Sequence, residues 1–433
     1  MTLKGLQFKD ILLPVKSSHS IRFTCQEYQT SGKGLTHEQC KASAIMEFVE
    51  RYSWLNFEYK TNSGYTVASF KEIVKDKHTV EPSYFLSNFF ALENKNQLID
   101  KITSLPMKWI EGISLNNGKP FFYPINWHNY VFATNGLAAG NVMEEAILQA
   151  ICELVERENT FRLFALCEPA NTVDPASISH PMISRLLNEA KDGKIEFLIK
   201  DISYDMGIPT FIVCGIIASD IGLPTHMGVG HGCHLDPNKA LIRALSEYFE
   251  GLSSIQNMMK GLKREINWKE SLSKQPAFHG GFIVTLNFQM LEKSLKTIKI
   301  NDMPNLSNED IGEELRLILN ILASHGHEVI LINKTHPIIC IPAVRIFAPK
   351  MRTVLNAEIH SPFRAMSGIC YEAYDDKSAD EFIKQFNFDL ARLSANLPML
   401  FNSLLLEPSA SSFFSRNYQT SLLNIMRNRK RLM

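Results

Sequence analysis

The sequence lacks a net charge, a long apolar run and a paired cysteine motif, and each lack removes a class of protein. Lysine plus arginine and aspartate plus glutamate both number 45 among the 433 residues. No global field therefore draws the chain to nucleic acid or to an anionic membrane. The longest apolar stretch, around Phe211 to Ala218, is far shorter than the roughly 20 residues that span a bilayer. Met1 to Ser18 mixes lysine and aspartate with short apolar runs and does not read as a signal peptide. The eight cysteines, Cys25, Cys40, Cys152, Cys167, Cys214, Cys233, Cys340 and Cys370, are scattered without a CxxC pair. They read as reduced residues of an intracellular core rather than a disulfide framework. A soluble cytoplasmic protein is expected, with neither nucleic acid nor membrane as a partner.

Familiar cofactor signatures are missing too. Gly228-Val229-Gly230-His231-Gly232 lacks the spacing of a dinucleotide fingerprint and the acidic residue that should follow it. Lys33 lies between glycines, without the GxxxxGK[ST] spacing of a phosphate-binding loop. His226, His231, Cys233 and His234 have no second cluster to complete a zinc site, and a turn packed on a helix start is the simpler reading. A di-iron carboxylate bundle needs Glu-x-x-His pairs, and none of the glutamate pairs described next has one.

What is present is one arrangement used three times: a glycine-rich stretch, a helix-start residue, then two glutamates three apart. Gly32-Lys33-Gly34, Thr36 and Glu47/Glu50 form the first set, followed by Arg51. Asn135 to Gly140, Asn141 and Glu153/Glu156 form the second, followed by Arg157. Gly228 to Gly232, Asp236 and Glu247/Glu250 form the third, where Gly251 takes the place of the trailing arginine. Glutamates at i and i+3 share a helix face. Alone, one such helix reads as a solvated face with weak i,i+4 pairs. Six such carboxylates brought together need cations, because buried unpaired charge is costly. Magnesium and the phosphate behind it fit that need.

Helices are expected over Thr36 to about Leu55, with Ala42, Ile45, Met46 and Val49 apolar, and over Asn141 to about Ala165, capped by Asn141. Backbone N–H groups of Asn135 to Asn141 could hold an anion there. Shorter helices are expected over Met182 to Asp192 and Ser307 to about Ser324, and a third long one starts at Asp236-Pro237. Strands are expected at Ile195 to Ile199, Thr210 to Ile217, Phe282 to Leu286, Val329 to Asn333 and Ile341 to Phe347, with short strand-like pieces through Trp109 to Val131. Pro362 to Leu393 carries mostly helical signals.

The three segments together resemble the YcaO family of ATP-dependent peptide-modifying enzymes. Ser31 to Gly34 with Ser43 to Arg51 is similar to its first motif, Asn135 to Arg157 to its second, and Gly230 to Glu247 to its third. Thr335 to Pro349, including Ile341-Pro342-Ala343-Val344-Arg345-Ile346, is similar as well. The resemblance implies an α+β fold of mixed sheets with packed helices, an ATP site between the ExxE helices, and a homodimer. It implies a catalytic domain over 1–405 and a tail over 406–433; within that domain the polar connection from Lys260 to the Gly280-Gly281 turn reads as a subdomain boundary near 257–281. It implies ATP and Mg2+ as cofactors and phosphorylation of a peptide backbone amide oxygen. Attack by sulfide then gives a thioamide; attack by a neighbouring Cys, Ser or Thr gives an azoline. A nucleotide-holding scaffold without chemistry is the alternative of a different class.

By the same resemblance Glu47, Glu50, Glu145, Glu153 and Glu156 hold magnesium or orient ATP. Lys33, Ser43, Asn141, Arg157, Arg243 and Glu247 belong to the cofactor site, while the catalytic base has no assignment. Many azoline-forming relatives end in a proline-rich tail, and this sequence ends in Arg431-Leu432-Met433. The third motif has Glu250 where a glutamine is common, and no arginine after it. The reading therefore leans to thioamidation with a TfuA-like partner, an E1-like partner being the alternative.

Overall fold

The computed structural model describes residues 6–11, 16–25, 28–60, 64–87, 95–217, 226–262, 277–279, 282–284 and 294–353, with Ile369, Ser378 and Glu381. The expected helix over Pro362 to Leu393 and the tail over 406–433 lie outside the described residues but for those three positions. So does 263–276, the centre of the expected boundary; its start, up to Leu262, is helical.

Strands β1 (Gln7–Ile11), β2 (His19–Cys25) and β3 (Tyr28–Gly34) form an antiparallel sheet in that order. Helix α1 (His37–Lys60) follows and packs back on β3. Then come β4 (Tyr65–Ala68), α2 (Phe70–Ile73), α3 (Lys95–Ser104), β5 (Met107–Ser114), β6 (Pro120–Pro124), α4 (Ile125–Phe132) and β7 (Leu137–Ala139). Helix α5 (Met143–Ala165) packs on β7. The chain continues through β8 (Ala170–Val173), α6 (Pro181–Asp192), β9 (Ile195–Asp201), β10 (Thr210–Ile217) and β11 (His226–Cys233). Helix α7 (Pro237–Leu262) lies along β11. Last are β12 (Ala277–His279), β13 (Phe282–Val284), β14 (Ser294–Ile298), α8 (Ile311–Ser324), β15 (Ile330–Asn333) and β16 (Ala343–Phe347).

A five-stranded sheet runs β11-β10-β9-β8-β14, antiparallel except for the parallel β14–β8 pair. A six-stranded antiparallel sheet runs β4-β5-β15-β16-β7, with β6 also paired to β5, and β12 pairs with β13. This is the expected α+β architecture. The strands β3, β7 and β11 each lie at the end of their own sheet's order, and each leads directly into an ExxE helix.

Sequence patterning explains most elements. Ile183, Leu186 and Ala190 of α6 sit at helical spacing and are buried. In α5, Ala146, Leu148, Ile151, Leu154 and Val155 are buried. Two expectations needed correction. In α1 the buried stripe is Cys40, Ala44, Phe48 and Val49, whereas Ala42 and Ile45 are exposed. The face is chosen by small residues that let the helix lie on a glycine strand. Ile125 to Phe132 forms α4 rather than strand, because Ile125, Trp127, Val131 and Phe132 drop into an aromatic core with Phe85, Trp109 and Tyr123. Tertiary burial outweighs the β preference of those side chains.

Candidate nucleotide and magnesium site

Glycine brings β3 and β11 onto their helices. A Cβ on Gly32 would fall 2.0 Å from the Cys40 carbonyl oxygen, and one on Gly230 would fall 2.0 Å from that of Ala244. No side chain fits there, so β3 lies against α1 and β11 against α7. Strand alternation turns Ser31 and Lys33 to the face opposite Gly32. Lys33 thus belongs to a strand and not to a phosphate-binding loop.

Each glutamate pair is served by a cation. Arg51 lies 3.6 Å from Glu47 and 3.5 Å from Glu50. Arg157 lies 3.8 Å from Glu153 and 3.4 Å from Glu156. The third pair receives Lys33 from β3, whose Nζ is 3.5 Å from both Glu247 and Glu250. The pairs also face one another in a cycle: Glu50 and Glu153 repel, as do Glu156 and Glu247, and Glu250 and Glu47. All six expected carboxylates of the repeat therefore meet at one place.

Backbone and neutral groups complete the frame. The Ser31 N–H donates to Glu47 (3.2 Å) and its hydroxyl to Glu250 (2.5 Å). The Gly136 N–H donates to Glu153 at 3.3 Å. His231 Nδ1 stands 3.5 Å from Glu247. Arg243 donates to Gln149 at 2.7 Å, and Ser43 lies half-buried one turn before Glu47. Glu145 is engaged at the head of α5, where it accepts from the Asn141 backbone and side chain at 2.8 and 2.9 Å. The N-cap position of α5 is Val142, so Asn141 is not the cap; Glu145 reaches back to it instead. The expected anion cradle is also corrected. The Gly136, Gly140 and Asn141 amides already donate to Glu153, the Pro342 carbonyl and Glu145.

The electrostatics show a site short of positive charge. Burial raises the pKa of Glu47, Glu153 and Glu156, and pushes Glu50 up to about 8, despite the neighbouring arginines. Burial also works against the charge of Lys33, but Glu247, Glu250 and Glu156 outweigh it and raise its pKa. Arg157 behaves likewise under Glu156, Glu153 and Glu247. The glutamates stay partly reachable, with Glu47 33 % and Glu156 8 % exposed. Among the described residues no three acidic, His or Cys side chains form a ready metal cage. Magnesium seldom uses one; it takes one or two carboxylates together with phosphate oxygens. Hard oxygen donors that hold protons above their usual range suit a divalent cation.

His234 is held in the turn before α7 by its neighbours. Its Nδ1 accepts from the Asp236 N–H at 2.9 Å, and burial, then Arg243 and Lys239, drive its pKa down to about 4. Sequence reasoning did not assign Ser31, Gln149 and His231 to the site; the strand that carries Ser31 was not among those expected.

A family model described as YcaO cyclodehydratase, ATP- and Mg2+-binding, matches residues 31–352. The chain belongs to the YcaO family, an ATP-dependent enzyme family, and its cofactors are ATP and Mg2+. An uncharacterized protein of Methanothermobacter thermautotrophicus is 28% identical over 356 residues, 78% of this chain and 85% of that one. An uncharacterized protein in the tfuA 3′ region of Rhizobium leguminosarum bv. trifolii is 29% identical over 238 residues, covering 50% of this chain and 53% of that one.

Two solved structures share the fold. YcaO from Methanopyrus kandleri, bound with AMPPCP and Mg2+, has a TM-score of 0.60 at 18% identity, over 82% of this chain and 88% of that one. A heterocyclase in complex with substrate and cofactor has a TM-score of 0.62 at 22% identity, over 80% of this chain. The match spans half the length of that heterocyclase. Backbone amide activation driven by ATP and Mg2+ is the chemistry of the family.

Proposed function

We propose that this protein phosphorylates a backbone amide oxygen of a peptide and passes the activated carbon to sulfide, giving a thioamide. The observation that carries the activation half is the cycle of six glutamates with Lys33, Arg51 and Arg157. An amide oxygen is a poor leaving group until phosphorylated. The protein's part is to position the partners and neutralise charge. Glu47, Glu50, Glu145, Glu153 and Glu156 would hold Mg2+ against the phosphates, with Arg157 on a phosphate oxygen. Ser43, Asn141, Arg243 and Glu247 are assigned to the surrounding nucleotide contacts. A single catalytic unit over 1–405 is the matching domain reading.

The thioamide half is supported by the relative named for its place in a tfuA region. A TfuA-like protein is accordingly the proposed partner. Azoline formation is the second reading, favoured by the family model's description as a cyclodehydratase. Incubating a candidate peptide with ATP, Mg2+ and sulfide separates the two by mass. Exchange of oxygen for sulfur supports the first reading and loss of water the second. Peptide-dependent phosphate release with neither product counts against both.

A further inference from the structure

In the first two helices the cation belongs to the helix itself, one turn after the first glutamate: Arg51 follows Glu47 and Arg157 follows Glu153. In α7 that position is Gly251. A glycine there supplies no cation one turn after Glu247, Arg243 one turn before it donates to Gln149, and the pair adjoins both Glu156 and Glu47. Lys33 comes from β3, more than 200 residues away in sequence, and stands 3.5 Å from a carboxylate oxygen of each. Ser31 of the same strand holds the other oxygen of Glu250. The close approach of Gly32 to α1 fixes β3 at the height where both contacts form.

We infer that Lys33 is a positioning residue, a tethered cation that stands in for the arginine absent at position 251, and that Lys33 and Glu250 work as a matched pair. The inference rests on the magnesium–nucleotide reading of this site. Lys33 acts through the carboxylates rather than as a first contact to phosphate. Loss of its charge leaves the neighbourhood of Glu250 and Glu47 more negative, where the phosphates must come. Changing Glu250 to glutamine removes that charge while leaving an oxygen for Ser31 to bind. The loss caused at position 33 should therefore be repaired, in part, at position 250.

The test is a double-mutant cycle on the full chain. Binding of AMPPCP with Mg2+ is measured by calorimetry for the unaltered protein, Lys33→Met, Glu250→Gln and the double variant. Lys33→Met is expected to weaken binding about 10-fold, and the double variant to recover at least about threefold of that loss, as coupled neighbours do. Lys33→Arg should bind within about threefold of the unaltered protein, since it keeps the charge. Thermal melting checks that each variant is folded, and Lys33→Gln replaces Lys33→Met if the latter is not. Binding by Lys33→Met equal to that of the unaltered protein overturns the inference. So do losses at the two positions that simply multiply. Absence of binding by the unaltered protein overturns the nucleotide reading itself, a distinct result.

Discussion

Gly32 and Cys40 are in backbone contact: a Cβ on Gly32 would lie 2.0 Å from the Cys40 carbonyl oxygen and 2.4 Å from the Ala44 nitrogen. The obstacle is helix backbone, which cannot rotate aside. Gly32→Ala must therefore push β3 away from α1. That movement pulls the Ser31 N–H from Glu47 and Lys33 from Glu247 and Glu250. The expected outcome is a loss of about 3 kcal/mol or more, read by urea unfolding, together with weakened Mg2+–nucleotide binding. Unchanged stability would show that strand and helix are not in the contact described.

Glu153 and Glu156 carry the catalytic reading. Both belong to α5, both pair with Arg157, and Glu156 is the most enclosed of the six repeat glutamates, 8 % exposed. Alanine at either position is expected to lower peptide-dependent ATP turnover about 100-fold or more, with the fold retained by circular dichroism. Turnover that survives both changes points instead to a scaffold that holds nucleotide without chemistry.

The sequence made some of this legible and hid the rest for physical reasons. Helices α5 and α7 were readable because apolar spacing and acidic starts agree. The buried stripe of α1 was misread because Ile45 looks like core, while the helix chooses the side where Cys40 and Ala44 are small enough to meet Gly32. Helix α4 was hidden by aromatic and β-branched residues that are helical only because the core takes them. Five of the six repeat carboxylates were assigned to the site, and Glu250 was the one in doubt. Its support comes from Lys33 and Ser31, far away in sequence, and no local spacing predicts that pairing. Arg243 to Gln149 is a link of the same long-range kind.

Arg345 is a buried support beneath the site. It is fully enclosed and donates to the Ala133 carbonyl at 2.6 Å and to Asn129 at 3.3 Å. Ala133 has φ of 49° and ψ of −113°, a positive-φ conformation outside the left-handed helical region that an alanine adopts only when held. Three residues on, the Gly136 N–H reaches Glu153. Arg345→Lys keeps the charge but loses the planar fork, and is expected to cost about 2–3 kcal/mol. Denaturant melts measure it. Lower Mg2+–nucleotide affinity should accompany the loss, because the Gly136 turn positions Glu153. A variant as stable as the parent would show that the turn holds without the guanidinium.

Glu189 gives the clearest pH dependence. Its carboxylate accepts from the Lys16 N–H, the Ser17 N–H and the Ser17 hydroxyl at 2.8, 2.8 and 2.7 Å, pinning the segment before β2 to α6. Burial works to raise its pKa, but the bonds from Ser17, Arg185 and Lys16 prevail and lower it to about 2 from the ordinary 4.5. A carboxyl with a depressed folded pKa binds fewer protons folded than unfolded. Its stabilisation is therefore complete above pH 4.5 and is lost as pH falls through about 2. Glu189→Gln is expected to lose about 1 kcal/mol near neutrality, allowing for the partly exposed position. Between pH 4.5 and 2 its stability should fall less steeply than that of the parent, in urea melts at stepped pH. Parallel curves for the two proteins would mean that Glu189 titrates alike folded and unfolded, and that it does not hold the Lys16–Ser17 segment.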